Sequence, residues 1–118
     1  MAGFSPLSTE QLRAFCAELG PQLDGDLWTD DMTRALYATD ASMYEIQPEA
    51  VLIPKHAGDV QVALEVADDY NVPVLPRGGG SSLAGQTVGA ALIIDFTKHL
   101  DQILEINAAE QWARVQPG

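Results

Sequence analysis

Cysteine is nearly absent from this chain: Cys16 stands alone. No internal disulfide and no cysteine-built metal cage is possible with one thiol, and the usage fits a reducing compartment. Basic residues are scarce as well. Six Lys and Arg face 17 Asp and Glu, a net charge of −11. A surface so acidic repels nucleic acid and anionic membranes rather than recruiting them. Long apolar runs are missing: the longest, Ala90 to Ile94, is far too short to span a bilayer. No basic segment followed by an apolar stretch opens the chain, so it reads as cytoplasmic, without a secretory leader or an integral membrane segment. Histidine occurs twice, as His56 and His99. Neither has neighbours in sequence that point to a metal site. What remains is ordinary globular material: 118 residues, 47% hydrophobic and 19% charged, enough for one domain with a core.

Local signals divide the chain. After a loose lead-in over residues 1–7, Ser8 and Gln11 form a capping box that opens a helix. Leu12, Phe15, Cys16 and Leu19 give it an apolar stripe, and Gly20-Pro21 ends it. Gly25 marks a turn, a short helix runs from Thr29-Asp30-Asp31 to about Tyr37, and 39–48 reads as irregular. Val51-Leu52-Ile53 is a buried strand stopped by Pro54. Gly58-Asp59 begins a helix to about Tyr70, with Val60, Ala63, Leu64 and Ala67 facing inward, Asp59 favouring the positive dipole end, and His56 helping its start. Val74-Leu75 and Ala91 to Asp95 are further strands. Ile103 to Ile106 and Trp112 to Val115 pair antiparallel across a turn. The first two strands and their helix form a βαβ unit. The expected class is α+β, a small βαβ-containing sheet flanked by helices and followed by the start of a second sheet. Residues 1–36 read as a helical lead-in to the segment 37–118. Ending on Gln116-Pro117-Gly118 straight after a strand, the chain is expected to be part of a longer protein.

The richest segment is Pro76-Arg77-Gly78-Gly79-Gly80-Ser81-Ser82-Leu83-Ala84-Gly85-Gln86. Three consecutive glycines let the backbone turn and approach a ligand closely, and successive N–H groups in such a loop form a nest for an anion. Arg77, Ser81 and Ser82 add charge and donors. A flexible surface loop is the plain alternative. The spacing of Gly80 and Gly85 fits a nucleoside-triphosphate loop, but Gln86-Thr87 stands where lysine and a hydroxyl residue are required. Gly78 and Gly80 begin a Rossmann fingerprint, with Asp95 imitating its ribose-binding acid. Leu83 replaces the third glycine, and no long amphipathic helix follows.

A third class fits. The segments Tyr37-Ala38-Thr39-Asp40-Ala41-Ser42, Val51-Leu52-Ile53-Pro54, Val72 to Gln86 and Val115-Gln116-Pro117-Gly118, in this order and spacing, resemble the FAD-binding domain of the vanillyl-alcohol oxidase / p-cresol methylhydroxylase superfamily. The likeness is greatest to flavoproteins grouped with the glycolate oxidase flavin subunit and D-lactate dehydrogenases, and covers roughly two-thirds of the chain. It implies that residues 37–118 are the N-terminal part, the first subdomain, of such a domain. Pro76, Arg77, Gly78, Gly79, Gly80, Ser81, Ser82, Leu83, Gly85 and Gln86 would wrap the FAD pyrophosphate and continue along the flavin, with Gly118 approaching from the second half. Several members attach flavin through a histidine where this chain has Ser81, so non-covalent FAD is implied. Asp40 and Ser42 could contact ligand or simply cap a turn. The implied reaction is oxidation of a small 2-hydroxy acid, with hydride passing to the flavin. Its catalytic residues, and any iron–sulfur region, would lie beyond residue 118. A non-enzymatic acidic module binding a phosphate-containing ligand or a protein partner is the competing reading.

Overall fold

A computed structural model describes residues 7–118. Of the lead-in, residues 1–6 lie outside the described residues.

Helix α1 (Thr9–Leu19) opens as the capping box requires. The Ser8 hydroxyl accepts from the Gln11 N–H at 3.1 Å, and the Gln11 side chain accepts from the Ser8 N–H at 2.9 Å. A 3-10 turn at Gly20–Gln22 follows it. Strand β1 (Asp26–Trp28) leads to α2 (Asp31–Leu36), whose N-cap Asp30 accepts from the Thr33 N–H at 2.9 Å. Strand β2 (Ala50–Ile53), helix α3 (Ala57–Asp69), strand β3 (Val74–Arg77) and strand β4 (Leu92–Asp95) complete the main layer. His56 caps α3, and Asn71, at φ 54°, turns the chain out of it. Strands β5 (Ile103–Asn107) and β6 (Trp112–Val115) form a separate antiparallel pair.

The main sheet runs β1-β2-β4-β3. Strands β2, β4 and β3 are mutually parallel, and β1 adds an antiparallel edge. Two readings of the sequence need correction here. The expected βαβ strands, β2 and β3, are parallel but not neighbours, because β4 lies between them. Its Leu92-Ile93-Ile94 run is apolar on both faces and is suited to the centre rather than an edge. Strand β1 falls where the sequence shows only a turn at Gly25 and the start of a helix at Thr29. It is three residues long, and pairing with β2 rather than its own propensity makes it a strand.

The core lies between the sheet and α1 and α3. Phe15 and Leu19 meet Ala63, Val66 and Ala67 over Leu52, Leu92 and Ile94, all buried. Phe15 also packs edge-on against Tyr70 with centroids 5.9 Å apart. The α3 stripe is narrower than expected, since Leu64 remains 48% exposed. Helix α1 thus belongs to the same core as the strands that follow it.

Candidate functional site

Parallel strands deliver the loops that follow them to one edge of the sheet, and open α/β sheets bind ligands at that edge. Here the loop after β3 carries the glycine segment. Arg77 is in register with Asp95 of β4, so the segments following both strands emerge side by side.

The glycine loop is held from behind and open in front. Among the described residues, no backbone N–H from Gly79 through Gln86 donates a hydrogen bond to the protein. A Cβ built on Gly79 would meet nothing within 4 Å, and one on Gly78 would meet only the Pro117 carbonyl at 3.8 Å. Gly80 has φ +68°, and a Cβ there would stand 2.5 Å from Nη2 of Arg77. Gly85 has φ +79°, and its Cβ would press on the Tyr44 ring at 2.7 Å. These positions demand glycine on two counts, backbone conformation and space.

The back of the loop is fixed by Arg77. Its Nη1 donates to the carbonyls of Tyr37 (3.3 Å) and Thr87 (3.2 Å), and its Nη2 donates to that of Thr39 (2.8 Å). The guanidinium also lies 5.2 Å from the centre of the Tyr37 ring. The Tyr37 hydroxyl in turn donates to Asp95 at 2.5 Å. Burial first, then the Asp95 carboxylate, pushes the Tyr37 phenol up to about 12. The other Asp95 oxygen accepts from the N–H and hydroxyl of Thr97. Asp95 therefore ties the chain's own loops and does not stand free for a ribose.

Segment 39–44 is bound to the same loop. The Ala41 N–H donates to the Gly80 carbonyl at 3.0 Å. Asp40 accepts from the Thr87 hydroxyl and the Ser42 N–H, both at 2.8 Å. Hydrogen bonds from Ser42, and with them those from Thr87, hold its carboxyl below the usual range against the opposing penalty of burial. Asp40 and Ser42 thus have a turn-shaping role. The Ser82 hydroxyl pairs with the Gln86 side chain. Gly118 reaches this region from the far end of the chain, its N–H donating to the Leu100 carbonyl at 2.8 Å. The structure so gathers Arg77 to Gln86, Pro117 and the 37–44 segment. Leu83 is 82% exposed on the loop.

The structure also builds one cluster that the sequence did not disclose. Asp24, His56 and Asp59 offer ligand atoms within 4.8 Å of one another, a spacing that could hold a metal ion. Asp59, only 1% exposed, already accepts from the N–H groups of Asp24, Gly25 and Lys55, each at 2.9 Å. His56 Nε2 lies 2.7 Å from Asp24. These internal bonds are what the cluster is used for. A cleft of about 530 Å³ near α1, lined by Arg13, Cys16, Arg34 and Glu49, shares no residue with the glycine loop.

Comparison with known proteins places this geometry in a class. A family model described as "FAD binding domain" matches residues 48–118. D-2-hydroxyglutarate dehydrogenase of Haemophilus influenzae is 38% identical over 98 residues, covering 80% of this chain and 10% of that protein. Glycolate oxidase subunit GlcD of Bacillus subtilis is 38% identical over 88 residues, covering 72% of this chain and 18% of that protein. Among solved structures, 4-ethylphenol oxidase from Gulosibacter chungangensis superposes with a TM-score of 0.73 at 26% identity, covering 95% of this chain and 23% of the other. p-Cresol methylhydroxylase shares the fold with the same TM-score at 16% identity, covering 95% of this chain and 23% of the other.

The chain belongs to the FAD-binding domain family found in FAD-linked oxidases and dehydrogenases. It spans about a tenth of the length of the D-2-hydroxyglutarate dehydrogenases it matches. Among the described residues, no helix is long and apolar enough to cross a membrane.

Proposed function

We propose that this chain holds the pyrophosphate of non-covalent FAD in the loop Pro76 to Gln86, as the cofactor-binding part of an oxidoreductase acting on a small 2-hydroxy acid. The observation that carries the reading is the run of backbone N–H groups from Gly79 to Gln86 that donate to nothing in the protein. A diphosphate needs closely approaching N–H groups more than it needs side chains. Ser81 and Ser82 add hydroxyls to that rim, and Gly118 approaches it beside Pro117. The substrate class follows from relatives named D-2-hydroxyglutarate dehydrogenase and glycolate oxidase subunit.

When bound, FAD supplies the electron acceptor for the oxidation. This chain's own residues bind and orient the cofactor. The glycine loop cradles the anion, the Tyr44 ring backs Gly85, and the Arg77–Tyr37–Asp95 set holds the loop in place. With Ser81 where a histidine could carry the cofactor, the flavin is expected to leave with acid.

The test is direct. The purified protein is titrated with FAD while flavin fluorescence is followed, then precipitated with acid. Saturable binding with all flavin released into the supernatant supports the reading. A protein that cannot be loaded with FAD sinks it, and flavin retained in the pellet refutes the non-covalent link.

A further inference from the structure

An arginine in a phosphate loop is ordinarily taken as the residue that meets the phosphate charge. Here its fork is aimed elsewhere. Both terminal nitrogens of Arg77 donate to main-chain carbonyls, reaching Tyr37 and Thr39, about 40 residues before it in sequence, and Thr87 on the far arm of its own loop. Its flat face is applied to the Tyr37 ring. Gly80 rests on the guanidinium so closely that any Cβ would collide with Nη2. Three carbonyl dipoles and an aromatic face compensate the charge inside the protein, and the N–H groups from Gly79 to Gln86 remain without a protein acceptor.

We infer that Arg77 is a positioning residue rather than a phosphate ligand: it clamps segment 37–41 and loop 78–87 into one preformed rim, leaving the anion to backbone N–H groups. The clamp has a second stage. Tyr37, against which the guanidinium stacks, is anchored by its hydroxyl to Asp95, the register partner of Arg77 on β4. The sheet thereby sets the position of the ring, the ring and three carbonyls set the guanidinium, and the guanidinium sets Gly80. A loop with three adjacent glycines is costly to order, so a rim ordered before binding spares that cost when the ligand arrives. The inference rests on the FAD reading only for the identity of the anion.

Charge and shape are separable by substitution. Arg77→Lys keeps the charge but offers one nitrogen where the clamp uses two. Arg77→Met removes both. Two measurements on the 118-residue chain decide the matter: amide hydrogen exchange over 38–44 without ligand, where the Ala41 N–H bonded to the Gly80 carbonyl reports the contact between the two segments, and FAD affinity. Both variants are expected to speed exchange over 38–44 and to weaken FAD binding by at least about tenfold, to within about threefold of each other. Tyr37→Leu, which removes the aromatic face against the guanidinium and leaves Arg77 in place, is expected to speed exchange over 38–44 and serves if the Arg77 variants do not fold. Wild-type affinity restored by lysine but not methionine, with exchange unchanged, would overturn the inference and return Arg77 to a charge-pairing role. A wild-type chain that binds no FAD defeats the functional reading instead, and the exchange rates still decide the clamp.

Discussion

Two cradles of backbone N–H groups follow two parallel strands of this sheet, and they differ in what fills them. After β2, the N–H of Lys55 joins those of Asp24 and Gly25 around the Asp59 carboxylate. After β3, the N–H groups from Gly79 to Gln86 find no acceptor in the protein. The physics is the same in both places: oriented amide dipoles favour an anion. In the first, the chain provides the anion itself, and the result is structure, a pin joining the turn before β1 to the start of α3. In the second, the chain withholds one, and on the function proposed above the result is a binding site. On that reading a filled cradle is architecture and an open one is function, although each would look alike to a search for N–H clusters.

The largest effect is expected where the filled cradle is emptied. Asp59→Ala leaves three N–H groups at a buried point without an acceptor, and should cost about 3–5 kcal/mol of stability by thermal or denaturant unfolding. Asp59→Asn should cost about half as much, because its amide nitrogen opposes the Asp24 N–H while its oxygen still serves Gly25 and Lys55. Burial alone would raise the Asp59 carboxyl, but the N–H groups of Lys55, Asp24 and Gly25, with His56, outweigh it and lower the net value. A lowered value makes the stabilisation complete above the ordinary carboxylate range and lost as pH falls through the folded value. Wild type and Asp59→Asn should therefore converge in stability under acid. Equal stability of the two at neutral pH would show that the pin is dispensable.

The next effect comes from filling the open cradle. Gly79→Asp adds a carboxylate where a Cβ meets no atom within 4 Å. The fold should tolerate it, with unfolding changed by no more than about 0.5 kcal/mol. Affinity for FAD should fall by roughly a hundredfold, since an internal anion then competes with the pyrophosphate and repels it. Unchanged loading would remove the loop from the site.

How far the sequence discloses this contrast depends on whether the cause is local. The capping box of Ser8 and Gln11, the Asp30 cap, the apolar run of β4 and the β5–β6 hairpin are set by neighbours within a few residues, and all are readable. The glycine loop stands out for the same reason, and the anion site proposed for it rests on those local residues. The position of β4 between β2 and β3 is not, because strand order depends on contacts between segments some twenty to forty residues apart. Asp59 reads as a helix-dipole acid, since nothing in its surroundings reveals that Asp24 and Gly25 return to it. Arg77 reads as a phosphate partner until the carbonyls of Tyr37 and Thr39, distant in sequence, are seen to occupy it. The role of Asp95 is hidden for the same cause: Tyr37, which it holds, arrives from outside its motif.

A smaller effect tests the support behind the open cradle. Tyr37→Phe keeps the ring under Arg77 and removes only its bond to Asp95, so it should cost about 1–2 kcal/mol. The Tyr37 phenol is raised to about 12 in the folded chain, against about 10 unfolded. Its stabilisation is thus present below pH 10 and disappears as pH rises from 10 to 12. Phenolate absorbance should show a late-ionising tyrosine in wild type that is missing from Tyr37→Phe. A titration identical in both would disconnect the phenol from Asp95.

The smallest expected effect lies at the outer edge of the filled cradle, where His56 meets Asp24 in solvent. The hydrogen bond to Asp24 raises the His56 imidazole above its ordinary value, with the Asp59 charge adding to it. A raised histidine contributes stability that is present below its unfolded value, about 6.5, and is lost as pH rises through the folded value. Asp24→Asn should therefore lower the melting temperature slightly at pH 5.5 and leave it unchanged at pH 8.5. The backbone N–H of Asp24 that holds Asp59 survives this substitution, so the cradle itself stays filled. A loss of equal size at both pH values would mean that Asp24 supports the pin by shape, and that the exposed charge pair contributes nothing to it.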